Sequence, residues 1–595
     1  MEHGAAETYD RLAELLPSLV QPPRSGRPCA RAYARAMALS PIFEFADRFV
    51  TEQSELDPCL ATSRGIPGYD HLLTDFSPHG HDARDEHTRR ASIELAALAP
   101  ADEHDRLARD FIVERFDVAL LSHEVGEWKR TMRAIASPTT ILRGTFDLMP
   151  RDGNAAWENI AARMHALPAA LDGLQATYEE GRATGHVAAH RQVLATADQC
   201  RTWATNRWFD SLTTEAATHE RLPDALRQRL RDGAELANAA YGEFADYLSD
   251  VYAADAAAAD GCGPERYRVG VRTMLGADLD PQEMYDWAWT DFHHLRAEIA
   301  TTCERIMPGA NFAEVIELLD NDPARAEHGA DAYQSWLQAL TDEALAGSKQ
   351  HFEIPDVMDR CEALIPPEGS AAAAYYTSPS EDFTRPGRTW YPAVGRTVFP
   401  RWGDVTTCYH ESVPGHHLQI AYARVQAESL SRIQRNSFIP GHGEGWALYA
   451  EQLSDEFGWF ENPDYRLGFL SAQILRTVRV IIDIGMHLDK GIPAGATLHD
   501  GTPFHGGETW TPALAFEFSV SETGRTEAFM RSEIARYLGW PAQAISYKVG
   551  QREWQRARGD ARRRDGAAFD LKAWHTKALR LGAIGLEQLG AELAR

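Results

Sequence analysis

Helical spacing of apolar residues runs through almost the whole chain and limits the possible folds more than any other feature. Apolar side chains recur three and four residues apart, which predicts amphipathic helices, over residues 94–133, 206–254, 281–306, 312–346, 404–427, 444–456, 464–490, 524–538, 541–557 and 571–593. Alternation typical of strands is scarce, and residues 388–400 are the best candidate for a short strand or hairpin. The sequence therefore predicts a mainly α fold with a small β-hairpin or edge strands.

Breaks rich in glycine, proline and serine fall near 21–28, 366–370, 377–388 and 491–507. None resembles an interdomain linker, and a chain of 595 residues can bury a large core. We therefore expect one integrated body with two lobes around a central cleft, an N-terminal helical lobe (1–260) and a second lobe (261–595) that carries the chemistry. The longest irregular stretch, residues 375–392, is expected to line a site, because such loops often do.

Charge and composition restrict the partners. The net charge is −27, from 60 basic and 87 acidic side chains, and this balance repels nucleic acid and anionic membranes. We interpret the basic run at 552–564 as a solvated helix face. No stretch of 18 or more residues is apolar throughout, and the acidic N-terminus reads as a helix rather than a basic leader, so we expect a cytoplasmic protein. The oligomeric state is left open.

A candidate metal motif, HESVPGHHLQ, occupies residues 410–419. His410 and Glu411 begin it as in a zinc-protease helix, but the position four residues later, where a second histidine is expected, holds Pro414. Proline removes a helical hydrogen bond, and Gly415 permits unusual backbone angles, so the helix must open here. A late histidine can then reach the metal, and both His416 and His417 are candidates.

The third metal ligand is expected from the segment GHGEGWALYAEQL, residues 441–453. It offers Glu444, which lies 28 residues after His416, far enough for a helix, a turn and a return. Glu451 lies seven residues further on, close to the same helix face, and could orient a ligand histidine. The seven cysteines are scattered singly, so any metal must be held mainly by His, Asp or Glu. Two histidines and a glutamate predict one Zn²⁺ per chain with an open coordination position.

Four segments, HESVPGHH, EGWALYAE, RTVRVIIDIGMH and ISYKVG, together resemble a large bacterial family catalogued as a domain of unknown function and regarded as zincin-like and mostly helical. The resemblance covers roughly residues 265–560, and Ala542 stands where the family usually has glycine. The family is distantly similar to helical zinc peptidases such as thimet oligopeptidase, angiotensin-converting enzyme and the Taq-type carboxypeptidases. The resemblance implies a zincin-like catalytic lobe and hydrolysis of peptide or amide bonds. It favours His416 over His417, because a Gly-His pair closes the related motifs.

Further polar groups are candidates for the chemistry around the metal. Tyr547 is the best donor for the oxyanion that forms during amide hydrolysis, and Lys548 is either a cation for a substrate carboxylate or a surface lysine. A polar stripe on an apolar helix is either a structural ion network or a wall that binds carboxylates; it consists of Arg476, Arg479, Asp483 and His487. We name Arg479, His487 and Lys548 as candidate substrate contacts.

The motifs favour a zinc-dependent hydrolase that acts on peptide or amide bonds in small substrates. Glu411 would serve as the base that activates water. The alternative is a metal-dependent biosynthetic enzyme, a lyase or isomerase, or a metal-binding protein on the same fold. A complete set of His410, Glu411, a late histidine and Glu444 argues against a binding protein, which would be free to lose Glu411.

Overall fold

Helices dominate the computed structural model, which describes residues 40–219, 221–366, 373–379, 383–393, 395–426 and 428–595. This confirms the mainly α fold. Pro41–Arg595 forms one compact unit. The N-terminal segment that we interpreted as an acidic helix lies outside the described residues.

The α-helices are short to medium in length and are numbered here in chain order. They are α1 (Pro41–Leu56), α2 (Pro58–Ser63), α3 (Pro78–Ala96), α4 (Glu103–Glu124), α5 (Pro138–Leu148), α6 (Gly153–Thr184), α7 (His190–Thr205), α8 (Asp210–Ala217), α9 (Asp224–Asp250), α10 (Gly263–Leu275), α11 (Pro281–Ile306), α12 (Phe312–Asn321), α13 (Ala330–Ser348), α14 (Asp404–Glu411), α15 (His416–Val425), α16 (Arg432–Arg435), α17 (Pro440–Glu456), α18 (Pro463–His487), α19 (Pro512–Thr523), α20 (Glu527–Gly539), α21 (Ser546–Asp565), α22 (Leu571–Arg580) and α23 (Leu586–Ala594).

Many of these helices begin where the sequence supplies a cap. Asp280 caps α11 through the Gln282 N–H and is followed by proline at the first turn, as the sequence predicts. Within the described part of the chain, none of the helices is long and apolar enough to cross a membrane. The cysteines of this part are free thiols, namely Cys59, Cys200, Cys262, Cys303, Cys361 and Cys408.

Within the described residues, five short strands form two small sheets, with β1 (Ala326–His328), β2 (Cys361–Leu364), β3 (Tyr375–Thr377), β4 (Gly387–Trp390) and β5 (Val398–Pro400). In the first sheet β4 lies between β2, which runs parallel to it, and β3, which runs antiparallel. In the second, β1 pairs with β5. The stretch 388–400, expected to form a short strand or hairpin, contains parts of two short strands, β4 and β5. They do not pair with each other, because β4 pairs with β2 and β3 whereas β5 pairs with β1.

Two large apolar cores hold the helices together. The first lies among α5 to α9 and includes Trp157, Tyr178 and Tyr241. The second is larger and extends from α10 to the C-terminus, but it also takes in α1, α3 and α4. Packing alone therefore does not separate two lobes at residue 260, and that boundary stays a prediction.

Glycines allow the two helices nearest the candidate site to approach closely. A Cβ atom at Gly445 of α17 would lie 2.5 Å from the Gly550 Cα of α21, and one at Gly550 would lie 2.1 Å from the Gly441 carbonyl oxygen. Real side chains cannot occupy such space, so the α17–α21 contact depends on glycine at positions 445 and 550. The contact brings Glu444 of α17 and Tyr547 of α21 to the same cavity.

Candidate metal centre

The helix is broken between the two histidine-bearing parts of the HESVPGHH motif. Helix α14 ends at Glu411 and α15 begins at His416, so the predicted break is present. A Cβ atom at Gly415 would lie 1.9 Å from the His410 carbonyl oxygen, so only glycine fits in this turn. The Gly415 N–H instead reaches the Tyr409 carbonyl at 3.0 Å.

A buried tryptophan from α17 fixes this turn. The Trp446 indole N–H donates to the carbonyl oxygens of Pro414 and Gly415, at 2.9 and 3.2 Å. Both carbonyls belong to the stretch in which the helical hydrogen bonds are interrupted, and a buried carbonyl left without a donor is costly. Trp446 is itself fully buried. The turn is therefore held by the same helix that carries Glu444.

Three side chains bring ligand atoms together at the broken helix. Glu444 Oε2 lies 3.4 Å from His410 Nε2 and 3.5 Å from His416 Nε2, and all three ligand atoms lie within 4.8 Å of one another. The two imidazole rings are nearly perpendicular, with 4.9 Å between their centres. Both histidines are buried. This group of three could hold a metal ion.

Glu451 contacts the ring nitrogen of His410 that does not face Glu444. The distance from His410 Nδ1 to Glu451 Oε1 is 2.8 Å, and the Thr406 hydroxyl donates to the other carboxylate oxygen at 2.7 Å. Burial alone would lower the pKa of His410, but its hydrogen bonds with Glu444 and Glu451 raise the pKa to about 10. Hydrogen bonds with His410 and His416 outweigh burial and hold the pKa of Glu444 well below its ordinary value.

Of the two late histidines, His416 is grouped with His410 and Glu444, whereas His417 makes other contacts. Its Nδ1 lies 3.0 Å from the Tyr376 hydroxyl, and its Nε2 lies 3.0 Å from the Met358 carbonyl oxygen. Both ring nitrogens are therefore occupied in protein contacts. These contacts connect α15 with β3 and with the turn before β2.

Beside the three ligand atoms lies a cavity of about 700 Å³. Glu411 and Tyr547 line it together with His410, His416 and Glu444. Burial raises the pKa of Glu411 above its ordinary value, against the lowering effect of the two histidines. Burial and the charge of Glu444 raise the pKa of Tyr547, so this hydroxyl stays protonated. A carboxyl group and a hydroxyl donor therefore face one cavity with the candidate metal ligands.

The irregular stretch predicted to line a site does so. Tyr375, Tyr376, Tyr391 and Pro392 form part of the cavity wall. The wall also includes Arg476 and Arg479 of α18. Arg479 also takes part in an ion network: its guanidinium donates to the Tyr537 hydroxyl at 2.8 Å and to Glu533 at 2.6 Å. In its first half the polar stripe therefore lines the cavity, and through Arg479 it also takes part in a structural ion network.

Two candidate substrate contacts lie elsewhere. His487 is 11 residues beyond Arg476, about 16 Å along α18, where its ring accepts from the Cys262 N–H and lies 3.1 Å from the Tyr537 carbonyl oxygen. Lys548 is buried on the inner face of α21, where its ammonium group donates to Gln473 at 2.7 Å and lies 3.3 Å from an Asp291 oxygen. Both are structural groups that do not line the cavity.

Sequence reasoning missed several residues of the cavity wall, among them Arg525. It lies between α19 and α20, in the segment ETGRTE, after Gly524, whose left-handed backbone (φ 64°) ends α19. No periodicity or spacing marks a single arginine in a turn. Only the fold brings it opposite Arg476.

Comparison with known proteins places the chain in a family. A crystal structure of a "putative lipoprotein" from Colwellia psychrerythraea is similar to the chain with a TM-score of 0.81 and 19% identity, over 93% of this chain and 98% of the other. A "putative lipoprotein of unknown function" from Shewanella oneidensis gives a TM-score of 0.72 and 18% identity, over 94% and 100%. At such identities the likeness shows the fold alone.

No curated protein matches the chain. Residues 58–593 match the family described as bacterial protein of unknown function, DUF885. This match spans nearly all of the described residues, including α14, α15, α17 and α21. The chain therefore belongs to the DUF885 family of bacterial proteins.

Proposed function

We propose that this protein is a zinc-dependent hydrolase of peptide or amide bonds in small substrates. The observation that carries the proposal is the convergence of His410, His416 and Glu444 at the edge of a cavity that Glu411 also lines. Two imidazoles and one carboxylate are a donor set of catalytic zinc sites, which keep a further position open. The cavity volume of about 700 Å³ lies within the usual range of small-molecule sites.

The distances from Glu444 to the two histidines are close to those in a zinc site. Ligands held at 2.0–2.1 Å in a tetrahedral arrangement lie about 3.3–3.4 Å apart, and Glu444 lies 3.4 and 3.5 Å from the two histidine nitrogens. Glu451 supplies the carboxylate that commonly orients a ligand histidine. Zinc bound here would polarise a substrate carbonyl and lower the pKa of a coordinated water.

Glu411 follows a ligand histidine but is not itself one of the three grouped donors, so it is free to move a proton. As the base it takes a proton from water while the water oxygen bonds to the carbonyl carbon. It then delivers that proton to the amine nitrogen as the C–N bond breaks. Tyr547 donates its hydroxyl hydrogen to the carbonyl oxygen as negative charge develops there.

Glu411→Gln tests the proposal, because the amide keeps the shape of the side chain and removes the base. We expect the variant to bind zinc like the wild type and to lose at least about 10²–10⁴-fold in kcat on short peptides or N-acyl amino acids. Glu527→Gln is the matched control, since Glu527 is an exposed residue of α20. A fully metallated Glu411→Gln protein with a near wild-type rate would mean that the mechanism is wrong.

A further inference from the structure

Two guanidinium groups on the cavity wall have no anionic partner among the residues that the structure describes. Arg525 forms no hydrogen bond or ion pair with any residue that the structure describes, and Arg476 donates only to the Ala472 carbonyl oxygen, at 3.1 Å. The Nε atoms of both are buried and without a hydrogen-bond partner. A buried cation normally has an anion or several acceptors around it. The two guanidinium groups therefore have hydrogen-bond donors that a ligand could use.

None of the acidic side chains in the described part of the chain forms an ion pair with Arg525. Burial and the nearby Arg476 and Arg479 lower the pKa of Arg525 to about 10, while Asp404 and Asp320 act in the opposite direction without forming an ion pair within the described part of the chain. Arg525 therefore stays charged at neutral pH. By contrast, Arg479 is paired with Glu533. In a chain of net charge −27, a cluster of cations with free donors is a site for an anionic ligand.

We infer that Arg476 and Arg525 bind the free C-terminal carboxylate of the substrate. Resting on the proposed hydrolase function, this makes the substrates short peptides or N-acyl amino acids that are cut from the C-terminal end. Guanidinium groups match a carboxylate with paired N–H donors, and the half-buried position of both strengthens the interaction.

One ligand can reach both the arginines and the catalytic groups. The cavity that Arg476 and Arg525 line is the one lined by Glu411, His410 and Glu444. The positive charge of Arg476 also lowers the pKa of Glu411, against the stronger effect of burial. A substrate anchored by its terminal carboxylate therefore presents a nearby amide bond to the base, whereas an internal segment of a long polypeptide has no carboxylate to offer.

Three matched peptides test the inference in the wild-type enzyme. All three share one neutral sequence. The first ends in a free carboxylate, the second ends in an amide, and the third ends in an amide but has glutamate as its last residue. We expect kcat/KM to be at least about 100-fold higher for the acid than for either amide, since two charge-assisted contacts are lost. Equal rates for acid and amide would overturn the inference and leave the hydrolase proposal standing. A glutamyl amide as good as the acid would overturn it too, because the pair would then recognise side chains.

Variants connect the preference to the two arginines. Arg476→Met and Arg525→Met should each lower kcat/KM for the acid by about 10-fold or more and lower it much less for the amide, so that the acid-to-amide ratio collapses. Arg531→Met, at an exposed arginine of α20, is the control and should keep the ratio. A ratio that survives in both cavity variants contradicts the inference. Arg476→Lys and Arg525→Lys keep the charge and should restore part of the preference if a methionine variant folds poorly.

A binding measurement separates this inference from the hydrolase proposal. Calorimetry on zinc-loaded Glu411→Gln protein uses the intact peptide acid and its amide, with no turnover required. We expect the acid to bind at least about 10-fold more tightly, and the difference to vanish when Arg525→Met is added. Equal binding of acid and amide refutes the carboxylate site even if no peptide is ever hydrolysed.

Discussion

Replacing Glu451 with glutamine should weaken zinc binding and leave the fold intact. Glu451 is fully buried, and its two oxygens contact His410 Nδ1 and the Thr406 hydroxyl at 2.8 and 2.7 Å. Glutamine keeps the shape and one acceptor for the imidazole, so the change removes the negative charge that strengthens the hydrogen bond. Loss of such a partner costs about 10–100-fold in metal affinity. Because Glu451→Gln is a conservative exchange, we expect zinc affinity to fall by the lower value of this range, about 10-fold, which corresponds to 1.4 kcal/mol.

Competition with a chelator of known zinc affinity measures the effect at neutral pH. Glu456→Gln at the end of the same helix is the control, because its carboxylate pairs with Arg558 at the surface and should leave zinc affinity unchanged. Thermal unfolding of the metal-free proteins checks that both variants are folded. If Glu451→Gln binds zinc as tightly as the wild type, the carboxylate does not support His410 as we argue.

Three further predictions concern the oxyanion donor, the broken helix and a buried acid. Tyr547→Phe should keep zinc and lose about 10²–10³-fold in kcat, measured in single-turnover assays. Trp446→Phe removes the donor to the Pro414 and Gly415 carbonyls. It should lower the free energy of unfolding by about 1–3 kcal/mol, measured in denaturant titrations. Burial raises the pKa of Asp483 to about 7 from 3.8, so its neutral form favours folding and stability is lost as the pH rises through 7. Relative to Asp483→Asn, the wild type should lose about 3 kcal/mol of unfolding free energy between pH 5 and pH 8; parallel pH profiles would refute this.

The residues of the candidate site were more predictable from sequence than its geometry. Residue type and spacing pointed to His410, Glu411 and Glu444, which the structure brings to one cavity, because few side-chain types serve as metal ligands. The choice between His416 and His417 could not be made from a helical wheel. It depends on a turn whose shape is set by Trp446, thirty residues away in the chain.

Long-range packing explains the remaining differences. His487 and Lys548 carry the right chemistry, but the length of α18 and the inward face of α21 place them in structural contacts. Arg525 has no sequence signature, because it reaches the cavity only through the turn between α19 and α20. The strands near residue 390 likewise pair with segments that local alternation does not reveal.

Zinc content of two adjacent histidine variants tests the central claim most directly. His416→Gln removes a proposed ligand, whereas His417→Gln changes a neighbour whose ring nitrogens contact Tyr376 and Met358. Elemental analysis of the purified proteins should find about one zinc per chain in the wild type and in His417→Gln, and far less in His416→Gln. A His416→Gln protein that keeps its full complement of zinc, or a wild-type protein that binds none when zinc is supplied, would contradict the metal centre proposed here.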